Sequence, residues 1–328
     1  MTSLPDPSTF LNEEQSDQAF AAILDRTVSD SAIADFLVRL SERGETATEI
    51  AAAAQAMRAR MIPITAPADA IDVCGTGGDG HHTLNISTAV AIIVAACGVP
   101  VAKHGNRAAS SKAGAADTLE ALGLDLNRAG ETAEQSLADL GICFLFAQAH
   151  HPSLAHVAPI RRSLGRRTIF NLMGPLANPA NVRRQLIGIA RPDYVPVYAE
   201  ALLKIGTEHS MVVSGEEGLD ELSLADGNSV TEIESGELRS YIITAAHAGL
   251  PTHNVEAIKG GDAEHNAQEL RKLLLGEEGP YRDAVLFNSA AALMVAGEVK
   301  SLAEGAEEAA EAIDKGLANA LLNCWIAF

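Results

Sequence analysis

The fold of this chain is indicated most clearly by residues 72–80, which are Asp72-Val73-Cys74-Gly75-Thr76-Gly77-Gly78-Asp79-Gly80. A strand is predicted over residues 70–74, and it runs into a loop in which four of six positions are glycine. A helix is predicted next, over residues 87–97, where apolar residues dominate. A strand that passes through a short loop into a helix opens a βαβ unit, so the stretch predicts a mainly parallel sheet.

The same alternation continues toward the end of the chain. A further helix is predicted over residues 115–122, and further strands are predicted over residues 99–103, 143–146, 185–190, 210–214 and 284–288. Strands that alternate with helices indicate an α/β fold, in which helices cover a largely parallel sheet. The Arg-, Asn-, Gly- and Pro-rich segment 163–181 interrupts this rhythm.

The residues before this sheet, from about 12 to 60, instead predict helices alone. Asp30 or Ser31 is the expected N-cap of one helix, and Gly44 is its expected end. An Ala-rich helix is predicted from Thr48 to about residue 60, and a proline-containing linker follows it. The chain therefore combines a small helical part with a larger α/β part.

The charge of the chain limits its partners. The 328 residues contain 24 Lys and Arg and 43 Asp and Glu, which gives a net charge of −19. Such acidity argues against a nucleic acid or an anionic membrane as partner, because phosphate backbones and anionic headgroups need a basic face. Two stretches, residues 80–116 and 140–192, contain no acidic residue but carry ten basic ones. A basic cleft for a small phosphorylated ligand can therefore lie within an acidic shell.

Targeting and redox signals indicate a cytoplasmic protein. The first 17 residues are acidic and lack the basic start of a secretory signal. The uncharged run 86–102 is short for a membrane span and is interpreted as a buried helix. The four cysteines form no C-x-x-C pair, so reduced thiols are expected rather than a disulfide scaffold or a zinc site.

The glycine loop is a candidate phosphate site. Glycines let the backbone approach an anion closely, and successive N–H groups with the next helix N-terminus attract phosphate oxygens. Asn85, Ser87 and Thr88 supply either helix caps or ligand contacts. The spacing matches neither the nucleotide-triphosphate nor the dinucleotide motif. A tight turn that needs positive φ is the alternative.

A basic loop follows the next predicted strand. Residues 103–114 contain Lys103, Arg107 and Lys112 together with an imidazole and two hydroxyls. Because loops that follow parallel strands lie at the same sheet edge, this loop is expected beside the glycine loop, where α/β folds bind ligands. An ordinary solvated loop is the alternative.

Five motifs resemble the anthranilate phosphoribosyltransferase family, and they occur in the order that the family has. They are G-T-G-G-D at residues 75–79, N-I-S-T at 85–88, K-H-G-N-R at 103–107, S-S-K-A-G-A-A-D-T-L-E-A-L-G at 110–123 and R-T-I-F-N-L-M-G-P-L-A-N-P at 167–179. The resemblance implies transfer of the phosphoribosyl group from 5-phosphoribosyl-1-pyrophosphate (PRPP) to the amine of anthranilate, with release of pyrophosphate, in tryptophan biosynthesis.

The resemblance also implies the residues of the two substrate sites. The PRPP-binding residues would be Gly75, Gly77, Gly78, Asp79, Thr83, Asn85, Ser87, Thr88, Lys103, Asn106, Arg107, Ala108, Ser110 and Ser111. The anthranilate-binding residues would be Gly75, His104, Asn106, His151, Arg161, Gly174 and Pro175. Arginine suits a planar carboxylate because its guanidinium donates two parallel hydrogen bonds.

A metal site and an assembly are implied as well. Two Mg²⁺ ions per subunit are expected, with Ser87, Asp220 and Glu221 as ligands, since Mg²⁺ commonly joins carboxylates to substrate phosphates. By resemblance, residues 1–66 with about 162–184 form a small α-helical domain that pairs two subunits into a homodimer. Residues 67–161 with about 185–328 form the α/β domain that carries the PRPP site.

Two other functions are weighed against this one. A pyrimidine nucleoside phosphorylase shares the fold and a related glycine loop, but the K-H-G-N-R and R-T-I-F-N-L-M-G-P-L stretches favour the transferase. A non-catalytic relative that binds nucleic acid is disfavoured by the charge of −19 and by the pair Asp220 and Glu221.

Overall fold

The computed structural model describes residues 3–108 and 112–328. Within them the strands are β1 Ile71–Gly75, β2 Val101–Gly105, β3 Ile142–Phe146, β4 Arg184–Gly188, β5 His209–Gly215, β6 Asn228–Glu234 and β7 Glu237–Ile243. The α-helices are α1 Glu13–Leu24, α2 Asp30–Arg43, α3 Ala47–Arg58, α4 Ile86–Ala96, α5 Ala115–Leu122, α6 Leu126–Glu131, α7 Ala133–Leu140, α8 Ala147–His150, α9 Val157–Leu164, α10 Met173–Leu176, α11 Val195–Ile205, α12 Ala263–Leu274, α13 Pro280–Ala296, α14 Leu302–Asp314 and α15 Leu317–Ala327.

All seven strands form one sheet in the order β3-β2-β1-β4-β5-β6-β7. The first five in this order pair in parallel, so their carboxyl ends meet at one edge. In this register Gly75 at the end of β1 lies opposite Gly188 at the end of β4. The predicted mainly parallel sheet is confirmed, and the ends of five predicted strands shift by at most two residues.

The antiparallel end of the sheet was not predicted. Strands β6 and β7 pair antiparallel through a two-residue turn, in which Ser235 has φ 52° and Gly236 has φ 83°. Two consecutive positive φ angles match the twist of a tight hairpin, and glycine adopts them without steric cost. Strand β7 is exposed at five of its seven residues, and three of its apolar residues, Tyr241, Ile242 and Ile243, stand together at its end instead of alternating with polar ones.

The strand predicted over residues 284–288 is wrong. These residues belong to the 17-residue helix α13, whose buried positions include Val285, Phe287 and Asn288. A helix buried on nearly all sides has no polar face, so a short apolar piece of it has the same pattern as a buried strand. Pro280 stands in the first turn, where its missing N–H costs no hydrogen bond.

Two predicted helix starts also differ from the structure. Ser29, not Asp30 or Ser31, caps α2, because its side chain accepts a hydrogen bond from the backbone N–H of Ala32. The third helix begins one residue before Thr48 and has Thr46 as its N-cap. The predicted stop of α2 at Gly44 is confirmed.

The apolar residues form two large cores, one of which joins the helical part to α11 and to strands β4, β5 and β6 of the α/β part. Helices α1–α3 share one core with the segment after α9, in which the Phe20 ring meets Phe36 and Phe170 edge to face. The larger core surrounds α4, of whose eleven residues nine are buried, as predicted. The described residues include no helix that is long and apolar enough to span a membrane.

Candidate active site

The glycine loop lies at the carboxyl edge of the sheet and contacts the carboxylate of Asp220. Gly77, Gly78 and Gly80 have φ angles of 71°, 78° and 81°, which favour glycine. Gly75 has no space for a side chain, because a Cβ there would overlap the Asp220 carboxylate. The Gly77 N–H donates to Oδ2 of Asp220 at 2.6 Å. The loop is therefore a tight turn and is also fixed to the acidic segment that follows β5.

An acidic cluster lies beneath this loop. Burial and the nearby charge of Asp79 raise the pKa of Asp220, while burial and the charge of Asp220 raise the pKa of Glu221. Surrounding atoms enclose both carboxyl groups, although each side chain keeps some accessible surface. The Ser87 backbone N–H and the charge of Lys103 oppose the shift at Glu221. The three predicted metal ligands, Ser87, Asp220 and Glu221, are thus brought together.

Lys103 is a buried cation next to the loop. Its side chain is only 2% exposed, and its Nζ donates to the carbonyl of Val73 at 2.8 Å. Asp72, fully buried on β1, accepts from Asn178 Nδ2 at 2.8 Å and from the His104 N–H at 3.2 Å. Burial raises the pKa of Asp72 to about 6, and the Lys103 charge opposes that rise. Asp72 therefore helps to balance the charge of Lys103 inside the domain.

The start of α4 adds polar groups to the site. Thr83 pairs in an isolated bridge with Lys259, and Asn85 precedes the helix but makes no side-chain cap. The interpretation of Asn85 as a side-chain cap is therefore wrong, because its amide oxygen is used elsewhere. The Thr88 hydroxyl is buried without a hydrogen-bond partner among the described residues. A hydroxyl in this state is costly unless a ligand contacts it.

The basic loop contributes less free charge than its sequence indicates. Arg107 donates to Asp117 at 2.9 Å and to Glu120 at 2.5 Å, so its charge is compensated by α5. Ala108 donates its backbone N–H to the same Asp117. Asn106 uses its Oδ1 to accept the Arg107 N–H at 2.8 Å. Two other residues predicted for this loop lie outside the described residues, namely Ser110 and Ser111.

Two neutral histidines pack against each other near the end of β2. The His104 and His151 rings are 5.2 Å apart, and the two residues are 3% and 4% exposed. Nδ1 of His104 lies 2.8 Å from the carbonyl of Gly174, which precedes Pro175. Burial lowers the pKa of His104 to about 3 and that of His151 to about 4, although the Ala177 backbone slightly opposes the latter shift. Nε2 of His104 and both ring nitrogens of His151 are buried without a partner at hydrogen-bonding distance among the described residues.

Arg161 stands on α9, ten residues after His151 in the sequence. Its guanidinium lies 5.9 Å from the centre of the Phe170 ring. Among the described residues it has no acidic partner, and partial burial lowers its pKa. A partly desolvated guanidinium without a counterion favours an anionic ligand.

Arg167 contacts the glycine loop, and sequence reasoning did not assign it to the site. Its Nη1 donates to the carbonyls of Gly77 at 2.9 Å and Gly78 at 3.0 Å, and its charge lowers the pKa of Asp220. The available signal was its position in an acid-free segment, but seven arginines share that segment. Sequence alone does not show which of them reaches the loop.

Comparisons with known proteins show the family to which the chain belongs. Residues 67–319 match the glycosyl transferase family a/b domain, and residues 9–61 match the helical bundle domain of the same family. The anthranilate phosphoribosyltransferase of Novosphingobium aromaticivorans is 73% identical over 327 residues, covering 100% of this chain and 99% of that protein. The chain belongs to the anthranilate phosphoribosyltransferase family. As a member, it transfers the phosphoribosyl group from PRPP to anthranilate in tryptophan biosynthesis.

Solved structures of this family have the same fold. The crystal structure of anthranilate phosphoribosyltransferase from Thermus thermophilus has a TM-score of 0.91 at 45% identity, covering 98% of this chain and 96% of that one. The Saccharomyces cerevisiae enzyme in complex with PRPP and Mg has a TM-score of 0.87 at 28% identity, covering 97% and 93%. The predicted helical part beside an α/β part is thus confirmed, and the phosphorylase and nucleic-acid-binding alternatives are set aside.

Proposed function

We propose that the carboxyl edge of the parallel sheet binds PRPP at the glycine loop and anthranilate at the two histidines. The observation that carries this assignment is the hydrogen bond from Gly77 N–H to Asp220, which joins the candidate phosphate loop to the acidic cluster. A diphosphate bound at the loop would then lie next to carboxylates that need a cation. The other PRPP contacts that we propose are made by Asn85, Ser87 and Thr88 at the start of α4 and by the basic loop from Lys103 onward.

The PRPP half is supported by groups whose hydrogen-bonding capacity is not used. Lys103 Nζ has three hydrogens, and the carbonyl of Val73 is its one partner among the described residues. The Thr88 hydroxyl is buried and has no hydrogen-bond partner within residues 3–108 and 112–328. Buried polar groups are normally satisfied, so both groups favour an anionic ligand with several oxygens. The positive end of α4 adds to this preference.

Magnesium fits the acidic cluster by its chemistry. Burial and the charge of Asp79 raise the pKa of Asp220, and burial and the charges of Asp220 and Asp79 raise the pKa of Glu221. Carboxylate oxygens are the ligands that Mg²⁺ prefers. Within the described residues no three His, Cys, Asp or Glu side chains are arranged to hold an ion by themselves. Phosphate oxygens would therefore complete the shell, as Mg²⁺ commonly requires. We propose two ions per subunit, since Ser87 adjoins Glu221 while Asp220 faces the loop.

The anthranilate half is built from a cation and two neutral rings. Arg161 would donate two parallel hydrogen bonds to the anthranilate carboxylate. His104 and His151 stay neutral near pH 7 because burial lowers their pKa values, so they form an uncharged wall for an aromatic ring. Gly174 and Pro175 would close the pocket on the side that the His104 ring contacts.

The mechanism needs positioning more than proton transfer. The aromatic amine of anthranilate is already neutral, so no strong base is required to create the nucleophile. When bound, Mg²⁺ supplies positive charge that balances the charge developing on the leaving pyrophosphate. Backbone N–H groups of the glycine loop and Lys103 would stabilise that charge from fixed positions. Arg161 would hold the amine in line with the ribose C1, and no covalent enzyme intermediate forms.

The experiment that tests this assignment compares the magnesium dependence of Asp220→Asn, Glu221→Gln and the unchanged enzyme. Turnover is followed as the loss of anthranilate fluorescence with PRPP. Both variants are expected to need more Mg²⁺ for half-maximal activity, because each loses a carboxylate charge. Asp226→Asn is the matched control, since Asp226 is exposed and its carboxylate bonds only the N–H of Gly227 among the described residues. Unchanged magnesium dependence in both cluster variants would contradict the assignment.

Assembly and location complete the proposal. A homodimer through the helical part is supported by the exposed apolar side chains of Phe10 and Ile62, which are 73% and 53% exposed. Light scattering with Phe10→Glu tests it, and an unchanged mass would count against this surface. A cytoplasmic location is supported by the four cysteines, all of which are free thiols.

A further inference from the structure

The Asn85 amide, at the start of α4, is tied to two buried side chains. Its Oδ1 accepts a hydrogen bond from the Thr118 hydroxyl at 2.6 Å and another from Nδ2 of Asn266 at 2.8 Å. Thr118 is fully buried and Asn266 is 2% exposed. An amide oxygen has two lone pairs, so these two donors use its accepting capacity in full. Asn85 can therefore meet a ligand only as a donor.

A backbone N–H fixes which way both amides point. Oδ1 of Asn266 accepts from the Gly261 N–H at 2.8 Å, and a backbone N–H can only donate. Asn266 must consequently turn its Nδ2 toward Asn85. The same reasoning applies one step further, because Nδ2 of Asn266 needs an acceptor and Oδ1 of Asn85 provides it. The orientation of Asn85 is thus set by Gly261, two hydrogen bonds away.

The donor side of Asn85 faces the basic loop. Its Nδ2 has two hydrogens, and its nearest partner among the described residues is the Ala113 carbonyl at a long 3.4 Å. Ala113 belongs to the loop between β2 and α5, and Asn85 immediately precedes α4. At least one N–H of Asn85 is therefore available between the two segments to which PRPP is assigned.

We propose that Asn266 is a positioning residue that keeps Asn85 turned as a hydrogen-bond donor toward a phosphate oxygen of PRPP. Thr118 supports the same orientation more weakly, because its hydroxyl can either donate or accept. A reversed Asn85 would present its carbonyl oxygen to an anion and repel it. This inference rests on the proposed function, in that Asn85 is taken to contact PRPP.

The test uses Asn266→Asp, which exchanges the donor that faces Asn85 for an acceptor. The new carboxylate still accepts the Gly261 N–H, and its second oxygen draws the NH₂ of Asn85 toward itself. Thr118 tolerates that reversal by accepting, so the fold is retained, which a melting curve checks. The KM for PRPP is expected to rise about tenfold or more, the usual effect of losing a hydrogen bond to a charged group, while the KM for anthranilate changes little.

The control variants separate this role from a structural one. Asn323→Asp makes the same exchange at an exposed residue of α15, which accepts a hydrogen bond from Arg271 of α12, the helix that carries Asn266. The kinetics of this variant should be unchanged. Asn85→Ala should raise the KM for PRPP, and adding Asn266→Asp to it should change nothing further. Calorimetric titration with inorganic pyrophosphate and Mg²⁺ should show the same order of affinities.

Any other outcome contradicts either the positioning role of Asn266 or the assignment of Asn85 to PRPP. If Asn85→Ala weakens PRPP binding but Asn266→Asp does not, the positioning role is wrong and the proposed function stands. If the Asn266→Asp effect persists without the Asn85 amide, Asn266 acts by another route and the inference fails. If Asn85→Ala leaves the KM for PRPP unchanged, the assignment of Asn85 to PRPP is wrong, and the inference is overturned with it.

Discussion

Replacement of Arg161 by alanine should separate recognition of anthranilate from the rest of the reaction. Arg161 has no acidic partner among the described residues, so its removal leaves no buried charge unpaired. The loss of stability should stay within about 2 kcal/mol, the value of a desolvated cation–π contact such as the one with Phe170. The carboxylate of bound anthranilate, by contrast, would lose the guanidinium that donates two parallel hydrogen bonds to it.

The size of the effect follows from that lost contact. Loss of a desolvated charge-assisted contact costs roughly 2–5 kcal/mol, and the lower end applies because Arg161 keeps part of its surface in water. At about 1.4 kcal/mol per tenfold, the KM for anthranilate should rise about thirtyfold. The kcat and the KM for PRPP should stay close to those of the unchanged enzyme.

The assay is steady-state loss of anthranilate fluorescence at saturating PRPP and Mg²⁺. Arg162→Ala is the matched control, because Arg162 is the next residue, carries the same charge and is exposed. A long-range electrostatic effect would act on both variants and weaken with salt. Equal kinetic changes in the two variants, or an unchanged KM for anthranilate in Arg161→Ala, would refute the role given to Arg161.

The remaining predictions concern the loop and the histidine pocket. Arg167→Ala should raise the KM for PRPP about tenfold, since the glycine loop loses two hydrogen bonds to a charged group, whereas Arg166→Ala, which breaks an exposed ion pair, should not. Gly75→Ala should abolish PRPP binding in a calorimetric titration, because a Cβ has no space there. Gly130→Ala, at a position of α6 with open space around it, should leave the free energy of unfolding unchanged or raise it by about 0.5–1 kcal/mol. His151→Asn should flatten the rise in unfolding free energy between pH 4 and 6.5, measured in urea. The folded pKa of His151 is lowered to about 4, so its contribution of about 3 kcal/mol is present above pH 6.5 and lost as the pH falls; an unchanged slope would contradict its burial as a neutral ring.

The sequence predicted well those elements whose patterning is local. The glycine loop, the buried helix α4 and the parallel strands are each carried by short apolar or glycine-rich runs, and all are present. Helix α13 failed because a helix buried on nearly every side presents no periodic polar face. Strand β7 was missed for a different reason, since most of its residues are exposed, its polar and apolar residues do not alternate, and its pairing with β6 holds it in place.

The site was predictable in its residue types but not in its partnerships. Sequence placed Arg107 among the PRPP ligands, yet the structure pairs it with Asp117 and Glu120, two acidic residues of α5. Arg167 was missed because its contact with the glycine loop joins residues about ninety positions apart. Which charge is compensated and which is free depends on tertiary contacts of this kind, and no local pattern records them.

The most direct test of the proposed PRPP and anthranilate sites is a crystal structure of the protein with PRPP, Mg²⁺ and a non-reactive anthranilate analogue. The diphosphate is expected against the backbone of Gly77 and Gly78, with Mg²⁺ between it and the Asp220–Glu221 pair. The carboxylate of the analogue is expected on the Arg161 guanidinium, with its ring beside His151. A diphosphate bound away from the glycine loop, or an analogue that does not touch Arg161, would contradict the account.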